Sequence, residues 1–162
     1  MTDADWMHVA DIYRGVAEIP GKGHNSTIIG WLDRLGAWWR DDETPWCGAY
    51  TAYCLKVTGH SVPKLWMRAR EWANWGVPLS RPAYGCVVVF GRDGGGHVGF
   101  VVGRDKAGNL MVLGGNQGNR VSVAAFPVSR VIGYRWPDNT NIPSLASLPL
   151  LVSSAQLSRN EA

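Results

Sequence analysis

Apolar residues recur at every third or fourth position through the first half of the chain and gather into short Val-rich runs from 85 to 136. Trp6, Val9, Ala10, Tyr13 and Val16 fall on one face of a helix over 3–17 that stops before Pro20. GKGHN (21–25) reads as a loop, and a second helix is predicted over 26–39 on the stripe Ile28, Ile29, Trp31, Leu32 and Leu35. Residues 46–58 carry a single charge, Lys56, and a helix that is apolar nearly all round belongs in the interior. A short helix around 66–75 closes this half. Then the period changes. GCVVVF (85–90), HVGFVVG (97–103), LMVLGG (110–115), RVSVAA (120–125) and RVIGYRW (130–136) are short, Val-rich and separated by Gly, Asp and Asn, which predicts an antiparallel meander of about five strands. Helices first and sheet second make an α+β domain over 1–137. Beyond Pro137 the pattern dissolves into a partly flexible tail, 138–162, with an apolar docking segment expected around 145–157.

Composition narrows the classes. With 46% apolar and 18% charged residues in 162, the chain can bury a core and form one domain. A net charge of +3 without a dense Lys/Arg run gives no basis for nucleic-acid binding, and no apolar run approaches the roughly 20 residues of a membrane span. The opening MTDADWMHVA has acids where a secretory signal needs basic and then apolar residues, so synthesis in the cytoplasm is expected, with action elsewhere after release or delivery. Three cysteines cannot all pair in one chain, and with four separated histidines they match no metal-ligand set. The GGG and GG runs lack the Lys and the strand–helix setting of a phosphate loop, so no cofactor is expected. Nine tryptophans are mostly core material, with stacking on sugars open to a few.

The chemistry gathers around ETPWCGAYTAYC (43–54). On a helix Cys47 and Cys54 lie about 10.5 Å apart along the axis, too far for a disulfide. Pro45 marks the first helical turn, so Cys47 meets free backbone N–H groups that favour a thiolate and lower its pKa, whereas Cys54 reads as an inert small hydrophobe. Cys86, within a Val-rich strand, also reads as core. A lone cysteine is more often a buried filler, and Cys47 needs partners. A turn at DKAG (105–108) closed by Arg104 and Asn109 sets His97 opposite Asn116, and Gly99 opposite Gly114 leaves a hollow where the Cys47 helix can approach. The competing reading is a satisfied strand histidine beside bulge glycines, and a one-residue slip would undo the pairing. A helix-start Cys, a strand His and a facing Asn are the nucleophile, base and orienter of thiol acyl transfer.

ETPWC, GHVGF, LGGNQ and the closing YRWP together resemble the papain-like NlpC- and CHAP-type cysteine peptidases and amidases, in particular a family of small bacterial and phage cell-wall hydrolases. The resemblance runs from about Val9 to Pro137. It implies a papain-like fold and hydrolysis of peptidoglycan, with Cys47, His97 and Asn116 catalytic. One departure stands out: many CHAP domains have a Glu two residues before this Asn, where this chain has Gly114. Trp46, Glu43, Gly96, Gln117 and His24 are expected to meet substrate. A stem-peptide endopeptidase is favoured, in an endolysin or another delivered lytic enzyme. An N-acetylmuramoyl-L-alanine amidase, or a papain-like protease or acyltransferase toxin acting on protein, is the alternative. The tail offers a surface for a delivery or immunity partner.

Overall fold

The computed structural model describes residues 4–19, 23–40, 45–92, 95–143 and 148–151. Three α-helices come first: α1 (Trp6–Ile12), α2 (Ser26–Leu35) and α3 (Cys47–Lys56). The Asn25 side chain starts α2 by accepting from the N–H groups of Thr27 and Ile28, and Gly36 ends it in the left-handed conformation. A 3₁₀ segment (Ala69–Asn74) follows, then β1 (Val77–Leu79), β2 (Val87–Arg92), β3 (Gly95–Arg104), β4 (Leu110–Gly114), β5 (Ser122–Phe126) and β6 (Val131–Trp136).

The fold is α+β with helices N-terminal to an antiparallel sheet, consistent with a papain-like architecture. Two features differ from the periodicity reading. The sheet has six strands, because the three-residue β1 pairs with β6 at the edge. Only β2 to β5 form a meander; β6 crosses back to lie between β1 and β2, giving the order β1-β6-β2-β3-β4-β5.

The β3–β4 hairpin fixes the site. It closes at Arg104↔Leu110 rather than Arg104 with Asn109, around a loop in which the Asp105 carboxylate accepts from the backbone N–H groups of Ala107 (3.0 Å) and Asn109 (2.9 Å). A bulge between Val101 and Gly103 then restores the expected pairing, Val101↔Val112 and Phe100↔Leu113. Beyond Leu113 the ladder stops. At the other end of β3, Arg104 N–H donates to Pro149 (2.9 Å) and Leu151 N–H to Arg104 (2.8 Å), so 148–151 of the expected docking segment does dock. Gly103 permits this, since a β-carbon there would stand 2.6 Å from the Pro149 carbonyl oxygen.

One buried cluster joins the helices to the sheet, and eight of the nine tryptophans lie in it; Trp38, 89% exposed, is the exception. Their indole N–H groups reach across elements, Trp6 to the Gly85 carbonyl (2.8 Å) and Trp72 to that of Trp66 (3.0 Å). All three cysteines are buried as thiols with no disulfide among them. Helix α3 lies deepest. Gly48 in its first turn lets the Trp66–Met67 backbone cross over it, since a β-carbon there would be 2.1 Å from the Trp66 carbonyl oxygen. That crossing brings residues 67–71 beside Cys47.

Candidate active site

Cys47 is the first residue of α3, and its N-cap, Trp46, contributes no side-chain hydrogen bond to the helix start. The first-turn N–H groups are therefore left without a capping side chain. Cys47 is 4% exposed, and burial pushes its thiol above the usual range. Backbone hydrogen bonds from Val98 and Gly48, and the charge of Arg92, pull the other way without prevailing. The helix-start expectation of a lowered pKa is thus reversed for the isolated thiol, because the loss of solvent outweighs the N–H groups and dipole at this depth.

The thiol opens into a cleft of about 340 Å³ lined by Pro45, Cys47, residues 67–71, Arg92, Gly95 and Gly96. Arg70 holds its two walls together, donating from Nε to the Gly95 carbonyl (2.7 Å) and from Nη2 to that of Arg92 (3.1 Å). Among the described lining residues, it stands with Arg68 and Arg92 against one acid, Glu71. A second groove of about 540 Å³, lined by Trp38, Trp39, Pro45, Leu65, Met67 and Arg68, shares three of these residues and extends the trough.

His97, near the start of β3, is fully buried, with its ring stacked on Phe126 at 5.3 Å and 11°. Its Nε2 lies 2.9 Å from Oε1 of Gln117. Gln117 Nε2 donates to the carbonyls of Val112 (3.1 Å) and Ser122 (2.7 Å), which fixes which end of the amide faces the ring. An amide oxygen only accepts, so Nε2 of His97 carries the hydrogen and Nδ1 is the basic nitrogen of the neutral ring.

The expected hydrogen bond between His97 and Asn116 is not formed. Beyond Gly114 the strand gives way to a turn in which Asn116 takes φ +60°, and Gln117 N–H donates to Arg120 (2.9 Å). That turn delivers the next residue, Gln117, to the imidazole. Asn116 is buried with neither amide atom hydrogen-bonded. The hollow at Gly114 is filled by Gln117 rather than by α3, which instead approaches Gly115, where a β-carbon would meet Tyr50 (2.7 Å) and the Trp46 ring (2.9 Å).

The residues expected to meet substrate separate. Gly96 lines the cleft. Trp46 is fully buried, its indole N–H held by Glu18 (2.8 Å), and faces the core instead. Gln117 is 3% exposed with its amide turned inward. His24 is exposed ahead of α2 and is not among the described residues lining the cleft. Glu43 lies outside the described residues. Arg68, Arg70, Glu71 and Arg92 were not anticipated; the first three leave only the trace MRAREW (67–72), which a short amphipathic helix explains equally well, and Arg92 stands alone at the end of a Val-rich strand. Among the described residues, no group of three or more His, Cys, Asp or Glu side chains is arranged to hold a metal.

Residues 39–116 match the family model of the CHAP domain. The match is consistent with the NlpC/CHAP-type peptidases, spans Cys47, His97 and Asn116, and stops one residue short of Gln117. At family level a CHAP domain implies peptidoglycan hydrolysis, by amidase or peptidase activity, and so a peptidoglycan substrate. Among curated proteins and among solved structures, nothing matches the chain. No helix among the described residues is long and apolar enough to cross a membrane.

Proposed function

We propose that this CHAP chain cleaves amide bonds of peptidoglycan stem peptides by a thiolate–imidazole mechanism, with Cys47 as nucleophile and His97 as base. One observation carries the reading: the Cys47 sulfur accepts a hydrogen bond from the backbone of Val98, the residue after His97, so the start of α3 and the start of β3 meet at the cleft. The proton of Cys47 passes to His97, and the thiolate attacks the amide carbonyl. Uncapped N–H groups at the start of α3 receive the oxyanion. His97 then protonates the leaving amine, and water, activated by the same ring, releases the carboxylic acid and restores the thiol. Asn116, expected as the orienter, carries no hydrogen-bonded role in this scheme.

Three arginines along the cleft suit carboxylate-bearing stem peptides, and the Trp38 groove gives the attached glycan an apolar surface. On this reading an endopeptidase is favoured over an N-acetylmuramoyl-L-alanine amidase, acting on the wall as an endolysin or another delivered lytic enzyme does. Digested sacculi analysed by mass spectrometry test it. New termini within the stem are expected, abolished by Cys47→Ser and by iodoacetamide. Free stems with bare glycan would make it an amidase, and reducing sugar ends without amide cleavage would refute the chemistry, since the described residues lining the cleft include no paired carboxylates for glycoside hydrolysis.

A further inference from the structure

We infer that Gln117, made possible by the missing side chain at Gly114, is the positioning residue that sets the His97 tautomer. The inference rests on the thiol reading above and names the group that prepares its base. Three observations carry it. A β-carbon at Gly114 would stand 2.3 Å from Gln117 Oε1 and 3.3 Å from His97 Nε2, so the amide oxygen occupies space that any other residue at 114 would fill. The amide cannot rotate, because both ends of the turn hold it: Val112 and Ser122 accept from its nitrogen, and Ser122 Oγ donates back to the Gln117 carbonyl (3.0 Å). And Asn116, the residue a straight strand would set against the ring, makes no side-chain hydrogen bond.

The consequence for the reaction is specific. A neutral imidazole holds one ring hydrogen, and in water the two tautomers exchange freely. Fixing it on Nε2 leaves Nδ1 ready to take the Cys47 proton, and the flat stack on Phe126 restricts the ring plane. The partner is an uncharged amide, so it orients the ring without the added charge that would hold the imidazolium more tightly.

The test uses the full chain. Gln117→Met keeps the length of the side chain and removes the acceptor; kcat on cell-wall substrate should fall about ten- to hundredfold with KM little changed, as expected for loss of one hydrogen bond to a reacting group. Gly114→Ala should reproduce that loss by pushing the amide away while leaving Gln117 in place. The double variant should lose no more than either single one, because both remove the same contact. ¹⁵N spectra of the His97 ring should show the Nε2–H form in the native protein and a mixture of tautomers in Gln117→Met. That measurement needs no turnover, so it still tests the inference if the chain proves inactive on cell wall. Gln117→Met with native kcat and native tautomer, or losses in the two variants that simply add, would overturn it.

Discussion

The buried thiol, together with the His97 tautomer inferred from the Gln117 contact, gives a quantitative expectation for His97→Ala. Without the imidazole, Cys47 keeps its proton past the ordinary thiol value of 9.0, because burial is the largest influence on it. At pH 7 its thiolate fraction is then below about one in a hundred, whereas the proposed proton transfer to His97 populates the thiolate near neutrality. A thiolate of higher pKa is intrinsically more nucleophilic, with a Brønsted slope of about 0.4–0.5, and over two units this returns about tenfold. Alkylation of Cys47 by iodoacetamide at pH 7 should therefore be at least about tenfold slower in His97→Ala. The pH profile should also change shape, from a plateau near neutrality to a rise of about tenfold per unit up to and beyond pH 9. Peptide mapping assigns the label to Cys47, since Cys54 and Cys86 are fully buried. If His97→Ala reacts at the native rate at pH 7, the helix start alone ionises the thiol and the argument from burial is wrong.

The other buried thiols make stability pH-dependent. Burial holds Cys86 up at about 12 and raises Cys54 as well, against 9.0 for the ordinary thiol, so the folded chain keeps protons that the unfolded chain loses; the stabilisation is full below pH 9 and is lost progressively towards pH 12. Urea unfolding at pH 10 should show a loss of about 1.4 kcal/mol per thiol relative to pH 8, with Cys86→Ala removing its share, and an unchanged or rising stability would contradict the sign. Gly48→Ala places a methyl 2.1 Å from the Trp66 carbonyl oxygen and should cost about 1–3 kcal/mol, read as a Tm lower by several degrees together with weaker substrate turnover, because the displaced segment is the cleft wall. Trp38→Ala should leave Tm unchanged, as the side chain is 89% exposed, while raising KM on glycan-bearing substrate severalfold and leaving sugar-free stem peptides unaffected.

Much of this architecture was legible because period is a direct record of which faces are buried. Helix α3 reads as interior from its lack of charge, and its residues from Cys47 to Ala52 are all buried. The β2 and β3 cores read equally well from Val spacing. Strand β1 escaped because VPL is three residues long and has a proline at its centre, which an edge position tolerates and a pattern search rejects. The pairing of β3 with β4 was legible through compensation: the loop is one residue longer than the DKAG turn suggests, and the bulge takes up the difference before Val101. The residue at the imidazole was not legible, because extrapolating a ladder assumes that the strand continues, and it ends at Gly114. The ionisation of Cys47 was misread for a related reason. Helix-start chemistry is local and visible in PWC, while the burial that opposes it comes from the fold.

Absent side chains connect these cases. Gly48 admits the 66–67 backbone, Gly96 lies 3.2 Å by its notional β-carbon from the Arg70 side chain that ties the cleft walls, Gly114 admits the Gln117 amide and Gly115 admits Trp46 and Tyr50. Each glycine brings a different segment within reach of Cys47 or His97. The reactive residues sit on rigid elements, α3 and β3, and the glycines decide what surrounds them. This couples the two halves of the mechanism. The close packing that sets the imidazole tautomer also removes water from the thiol, so the thiolate depends on the base that the packing holds in place. In the proposed mechanism a site built this way stays a protonated, poorly nucleophilic thiol until His97 takes its proton, so the imidazole rather than the helix start sets the reactivity of Cys47.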